Sequence, residues 1–209
     1  MLYDSLKRLV DIVGSIVGLI LFSPILLLTY IMIKIDTEGP IFADTPMRVG
    51  RNGRLFKMYK FRSMYVNALD ILEQNPTLMR EYKRNSYKLV NDPRITAIGK
   101  FIRKYSIDEL PQLINILRGE MSLVGPRAYY PFELEAQQKK YPNSREFVKI
   151  ILSAKPGLTG VWQVSGRSDI NFDKRVEMDS LYVQRRSIPY DIYLLLKTFP
   201  AVLSGRGAI

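Results

Sequence analysis

The chain has 209 residues, a formal charge of +11 and a sequence pI near 9.8; it is long enough to bury one core and too short for two independent ones. It contains neither cysteine nor histidine, which excludes disulfides, thiol nucleophiles, Cys/His zinc sites and histidine general bases. Any catalysis must run on carboxylates, hydroxyls, lysine, arginine or an oxygen-bound metal. The positive charge attracts polyanions: nucleic acid, an anionic membrane face or phosphorylated substrates.

Residues 12–33, IVGSIVGLILFSPILLLTYIMI, run 22 positions without a charge, enough to cross a hydrocarbon core as a helix. Ser23-Pro24 interrupts the run at its middle. Proline removes one backbone hydrogen bond and collides with the preceding turn, so a kink or break is expected there. A kinked span and a re-entrant helix-break-helix both satisfy this. Lys7 and Arg8 precede the segment, and the basic remainder follows from Lys34. A single span cannot keep both flanks on the cytoplasmic side, so the re-entrant form is favoured. Gly14 and Gly18 form G-x-x-x-G, a spacing used in helix packing and dimerisation, which leaves a homodimer open.

After the apolar segment, Asn52-Gly53 between RVGR and RLFKMYKF predicts a β-hairpin, with Lys57, Lys60 and Arg62 interleaved among apolar residues. Helices are expected over 65–74 and 76–89, parted near Pro76. In NDPRITAIGKFIRKYS, Ile95, Ile98, Ile102 and Tyr105 recur at helical spacing, while Arg94, Lys100, Arg103 and Lys104 fill the other positions. Such a basic amphipathic helix suits either an anionic membrane surface or a core-facing position. Residues 142–172, rich in Gly, Pro and Ser, predict a long functional loop with a short strand at Val161–Val164. The closing YDIYLLLKTFPAVLSGRGAI predicts an amphipathic helix bent at Pro200, and no internal repeat is present. The expected fold is α+β and mainly helical: an N-terminal re-entrant helix-break-helix over 1–36, then a cytoplasmic-face domain over 37–209 with amphipathic surface helices and a small hairpin or sheet.

The block RKYSIDELPQLINILRGEMSLVGPR, residues 103–127, places Asp108 and Glu109 side by side between flanking arginines. Ser106, three residues before Glu109, matches a capping box opening the helix of Leu113, Ile114 and Leu117, although Pro111 fits only a first turn. A helix start stabilises negative side chains and also favours bound phosphate. The pair reads either as a solvated helix start or as a reactive site. In the second reading Asp108 is a nucleophile kept ionised by Arg103 and Arg127, forming a covalent phosphoryl intermediate as aspartyl-phosphate enzymes do. Such chemistry needs Mg²⁺ and several cations on the phosphate oxygens, and Mg²⁺ commonly takes one or two protein carboxylates with phosphates and water.

Together KFRSM, the SIDELPQLINILRGEMSLVGPR block, KPGLTGVWQVSGRSD and the closing VLSGRGAI resemble the bacterial sugar transferases, or monotopic phosphoglycosyl transferases, from the N-terminal LKRLVDIVGSIVGLILFSPI to the last residue. The resemblance implies an enzyme that transfers a sugar-1-phosphate from a UDP-sugar to undecaprenyl phosphate, releasing UMP. It implies work at the cytoplasmic face of the bacterial inner membrane, in the first membrane step of a surface polysaccharide pathway. It also implies Asp108 as nucleophile and Mg²⁺ contact and Glu109 as its acid/base partner. Lys60, Arg62, Arg103, Arg127 and Arg167 are implied as phosphate and substrate contacts, and Ser23-Pro24 as the membrane break. Many members read Pro-Arg-Pro where this chain has Pro126-Arg127-Ala128, which loosens that loop. Alternatives from the residues alone are a Mg²⁺-dependent lipid pyrophosphate hydrolase and a non-enzymatic, membrane-anchored basic module. Nucleic acid is not expected as a partner, since the aromatics form no base-stacking platform and the most distinctive block is centred on two acids.

Overall fold

The computed structural model describes residues 2–84, 89, 91–166 and 170–205. It opens with two helices, α1 (Leu2–Leu21) and α2 (Ser23–Asp36), bent by 59° where they meet. Pro24 lies in the first turn of α2, where its missing N–H costs nothing, and the Ser23 hydroxyl donates to the Ile20 carbonyl at 2.8 Å across the break. No single helix among the described residues is long and apolar enough to cross a membrane. Val13, Ile16, Val17 and Ile20 on α1, and Leu27, Leu28 and Ile31 on α2, face outward.

The inner side of α1 belongs to the main core. Val10 and Leu19 pack on a cluster that includes Leu113, Ile116, Met121, Leu123 and Leu194. Asp11, 1% exposed, accepts from the Ser122 hydroxyl and the Leu123 N–H, both at 2.9 Å, so the docking is polar as well as apolar.

The predicted hairpin forms. Strands β1 (Arg48–Val49) and β2 (Leu55–Phe56) pair antiparallel about a 3₁₀ turn, Arg51–Gly53, in which Asn52 takes φ 56°. Helices α3 (Ala68–Glu73) and α4 (Pro76–Arg84) follow, as the Pro76 boundary predicts. The basic amphipathic segment becomes α5 (Ala97–Lys104), capped by the Thr96 side chain, which accepts the Gly99 N–H at 2.9 Å. Its Ile102 is buried against Phe61 and Ile33, whereas Phe101 is half exposed. Arg94 departs from the expected polar face. It precedes the helix and is buried, making a two-pronged pair with Asp92 at 2.8 and 2.7 Å.

A 3₁₀ turn, Ile107–Glu109, leads into α6 (Gln112–Leu117) and β3 (Ser122–Val124). Helices α7 (Pro131–Lys140) and α8 (Arg145–Ile151) precede β4 (Gly157–Thr159), which pairs parallel with β3 in the register Ser122 to Gly157 and Val124 to Thr159. The expected long loop is thus largely structured. Val161–Val164, predicted as a strand, lies in α9 (Val161–Ser165). Its β-branched and aromatic run favours a strand locally, but the helical turn buries Trp162 while β4, one step earlier, supplies the pairing. Two long helices close the described chain, α10 (Phe172–Arg185) and α11 (Ile188–Leu203). The helix α11 runs on through Pro200.

Candidate active site

The site is assembled around a stapled extended segment. Asn115, fully buried on α6, accepts the Tyr59 N–H at 2.9 Å and donates to the Lys57 carbonyl at 2.8 Å. The next residues are held from both sides: the Phe61 N–H donates to the Asp108 carbonyl at 2.9 Å, and the Arg62 N–H to the Ile41 carbonyl at 2.8 Å. The YKFRSM segment is therefore registered directly against the acidic pair. Side chains alternate along an extended chain, so Phe61 enters the core and Lys60 points to the carboxylates.

The turn carrying the pair is sharp. Ser106 adopts the left-handed conformation, φ 54° and ψ 24°, which is uncommon for a residue with a side chain. The predicted capping box does not form: Ser106 makes no side-chain cap of this turn, and the Glu109 N–H donates to the Ser106 carbonyl at 3.1 Å. The Glu109 carboxylate instead meets Lys60 Nζ at 2.5 Å, and the same ammonium lies 3.8 Å from Asp108 Oδ2. Pro111 sits at the N-cap of α6, as its geometry requires.

Asp108 is only 7% exposed. Burial pushes its carboxyl up to about 6; Lys60 and Arg103 pull it down, and Glu109 adds to the rise. The two cations do not offset desolvation and the neighbouring carboxylate. Asp108 is therefore mostly ionised at neutral pH and still short of positive charge.

Arg127 follows β3. The strands approach so closely there that a Cβ on Gly125 would fall 2.5 Å from the Lys155 carbonyl, so only glycine fits. The Arg127 N–H donates to Asp179 Oδ2 at 3.0 Å, and its guanidinium lies 5.0 Å from the Trp162 ring centre. Arg175 sits over the same ring at 4.7 Å. Arg48 stands 3.3 Å from the Tyr130 ring centre and donates to the Ala128 carbonyl at 3.1 Å. Burial pushes Arg48 down to about 10, against the pull of Tyr130, Glu133 and Glu109. Asp179, fully buried with Oδ1 unpartnered, is pushed up to about 7 by burial despite the Arg127 N–H and the two nearby guanidiniums.

The structure brings Lys60, Arg103, Asp108 and Glu109 together, with Arg127 facing Glu109 electrostatically. Arg62 has another job: its two terminal nitrogens donate to the Glu38 and Thr37 carbonyls at 2.6 and 2.8 Å, clasping the end of α2. Arg167 lies outside the described residues. Sequence reasoning missed Arg48, Glu133, Arg175 and Asp179. A signal existed for two of them, because Phe172, Val176 and Asp179 recur at helical spacing after Asn171, with Arg175 on the adjoining position. Nothing in the sequence joins Arg48 to a loop eighty residues away.

A carboxylate pair with one buried member, Asp108, and one partly exposed, Glu109, bridged by a lysine and bordered by arginines, is an arrangement chemically suited to phosphorylated substrates. Residues 2–205 match the model of the family described as bacterial sugar transferase, and the chain belongs to that family. It is 47% identical over 206 residues to the undecaprenyl-phosphate galactose phosphotransferase of Salmonella typhimurium, covering 97% of this chain and 41% of that one. It is 44% identical over 206 residues to the exopolysaccharide production protein ExoY of Rhizobium meliloti, covering 97% and 87% respectively. It is 33% identical over 210 residues to the UDP-N-acetylgalactosamine-undecaprenyl-phosphate N-acetylgalactosaminephosphotransferase of Aeromonas hydrophila, covering 99% and 46%. The chain thus spans about two fifths of the length of the Salmonella relative.

Proposed function

We propose that this protein transfers a sugar-1-phosphate from a UDP-sugar to undecaprenyl phosphate, with Asp108 as the covalent nucleophile. The observation that carries the reading is Asp108 itself, a nearly buried, mostly ionised carboxylate between Lys60 and Arg103 in a chain 47% identical to a named undecaprenyl-phosphate galactose phosphotransferase. A carboxylate oxygen of Asp108 attacks the sugar-proximal phosphorus, the bridging P–O bond breaks, and UMP leaves with that oxygen and the electron pair. A phosphate oxygen of the lipid acceptor then attacks the same phosphorus. The acyl–phosphate bond breaks, which restores the Asp108 carboxylate and yields the lipid-linked diphosphosugar. Lys60 and Arg103 neutralise charge on the phosphoryl oxygens, and Arg127 holds the diphosphate from the other side. Glu109, fixed by Lys60 at 2.5 Å, keeps that ammonium in place until substrate arrives.

Mg²⁺ fits this donor set. Among the described residues no group of three acidic side chains could enclose a metal, and Mg²⁺ commonly uses one or two carboxylates with phosphates and water. Asp108 would hold it, since a carboxyl still raised to about 6 has room for a further cation. When bound, the ion supplies positive charge to the diphosphate oxygens.

Residues 1–36 are proposed to lie in the cytoplasmic leaflet as a re-entrant pair broken at Ser23-Pro24, with 37–209 as the catalytic part on the cytoplasmic face of the inner membrane. Supporting this, the outward faces of α1 and α2 are apolar, and α11 adds Leu196, Phe199 and Leu203 to the exposed apolar surface. The test is a coupled assay of purified protein with Mg²⁺, undecaprenyl phosphate and a panel of UDP-sugars headed by UDP-galactose. UMP release that requires the lipid acceptor for turnover supports the reading; sustained release of UMP and free sugar-1-phosphate without the lipid, with water as acceptor, would replace it with a hydrolase.

A further inference from the structure

A small recess, open to solvent, lies where the first three turns of α1 meet the β3–β4 sheet. It is separate from the acidic pair: Arg8, on its wall, caps the end of α6 remote from Asp108, donating to the Ile116 and Leu117 carbonyls at 2.6 and 2.7 Å. Five cations line it, Lys7, Arg8, Arg51, Lys155 and Arg186, against only two acids. Both acids are engaged, Asp11 by Ser122, Leu123 and Lys7, and Asp4 by Arg186 at 3.4 Å. Lys7 is further tied to Asp191 at 2.9 Å. Among the described residues, Arg8, Arg51 and Lys155 have no carboxylate partner.

The segments that carry these three are held together by the fold. The hairpin turn carrying Arg51 is stapled to the Lys155 loop by the Asn52 N–H donating to the Leu152 carbonyl at 2.7 Å. Lys155 Nζ and the Arg8 guanidinium converge on Gly119, 3.5 and 3.8 Å from where its Cβ would be. Burial and then Arg8 lower the Lys155 pKa, with Arg51 and Lys7 adding to the fall and Asp11 opposing it, so this half-buried ammonium faces more like charge than opposite. Maintaining such a cluster costs stability unless an anion relieves it.

We propose that this recess binds a phosphate group, carried by a lipid headgroup or free in solution, with Lys155, Arg51 and Arg8 as its cationic wall. The inference is independent of the transferase reading.

The experiment uses the full chain in detergent and compares wild type with Lys155→Gln and with Lys149→Gln, a control that removes the same charge from an exposed position on α8. One arm measures flotation with vesicles of phosphatidylcholine alone or with an equal part of phosphatidylglycerol. The other follows the unfolding midpoint with inorganic phosphate or glycerol 3-phosphate, against chloride at equal ionic strength. Lys155→Gln should weaken partitioning onto the anionic vesicles about fivefold and Lys149→Gln much less, the scale expected for one basic residue at an anionic surface. Loss confined to vesicles assigns the phosphate to lipid, and loss of midpoint protection as well assigns it to any phosphate. Equal behaviour of the two variants in both arms overturns the proposal. Labelling of Asp108 by UDP-sugar, unchanged in Lys155→Gln, separates this outcome from a failure of the transferase reading.

Discussion

Replacing Asp108 by asparagine should stabilise the substrate-free protein at neutral pH while abolishing transfer. The carboxyl titrates at about 6 in the fold against 3.8 in a solvated chain, with burial as the leading cause. The folded state thus holds this proton more tightly than the unfolded state. As pH rises from about 4 to about 6 the unfolded chain ionises first, and folding stability falls by up to about 3 kcal/mol, at about 1.4 kcal/mol per unit. Asparagine has nearly the same shape and no charge to desolvate, and the Phe61 N–H still has its main-chain acceptor at residue 108. Lys60 keeps Glu109. The variant should therefore match wild type near pH 4 and unfold several degrees higher above pH 7, at about 2–4 °C per kcal/mol for a chain of this size. Thermal unfolding in detergent over a pH series, without nucleotide sugar or Mg²⁺, measures this. An Asp108→Asn variant less stable than wild type at pH 8, or a gap that does not vary with pH, would refute a desolvated carboxylate at this position.

Other consequences follow from the same geometry. Lys60→Met removes the cation shared by the two carboxylates, so the acidic limb of the pH–activity profile should move to higher pH as Asp108 becomes harder to ionise. Asp92→Ala strands the buried Arg94 guanidinium and should cost about 3 kcal/mol in chemical denaturation, with the Asp92→Ala/Arg94→Ala pair costing less than the sum of the two. Gly125→Ala forces a methyl to within 2.5 Å of the Lys155 carbonyl; it should lose about 1–3 kcal/mol and lower activity beyond that by displacing Arg127. Arg62→Ala should loosen the Thr37–Glu38 link, read as faster proteolysis there, with a smaller effect on turnover than Lys60→Met.

The parts legible in the sequence were those set by local rules. Twenty-two uncharged residues around Ser23-Pro24 announce a broken helix, and Asn52-Gly53 announces its hairpin, because each depends on a few neighbouring residues. Asp108 and Glu109 stood out in the sequence as a pair open to two readings, a solvated helix start or a cation-bound site, and the fold sets Lys60 beside both. Lys60, forty-eight positions away, meets them only because Asn115 and Asp108 staple its segment in place. The arginine and aromatic wall was not legible. Arg48, Arg127, Trp162 and Arg175 come from four separate segments, β1, the loop after β3, α9 and α10, brought near one another in part by the parallel pairing of β3 with β4, and such pairing leaves no periodic trace in three-residue strands. The capping box failed for a related reason: Glu109 gains more from Lys60 at 2.5 Å than from a backbone N–H. Val161–Val164 failed because burial of Trp162 outweighed the strand preference of its neighbours.

The central claim is that Asp108 carries the phosphosugar. Intact-protein and peptide mass spectrometry after incubation with Mg²⁺ and a panel of UDP-sugars, without polyprenyl phosphate, tests it most directly. The account predicts a mass gain of one sugar phosphate on the Asp108 peptide, absent in Asp108→Asn and discharged by adding undecaprenyl phosphate. Product formed only when both substrates are present, with the Asp108 peptide unmodified under every donor, would contradict it and leave direct transfer in a ternary complex.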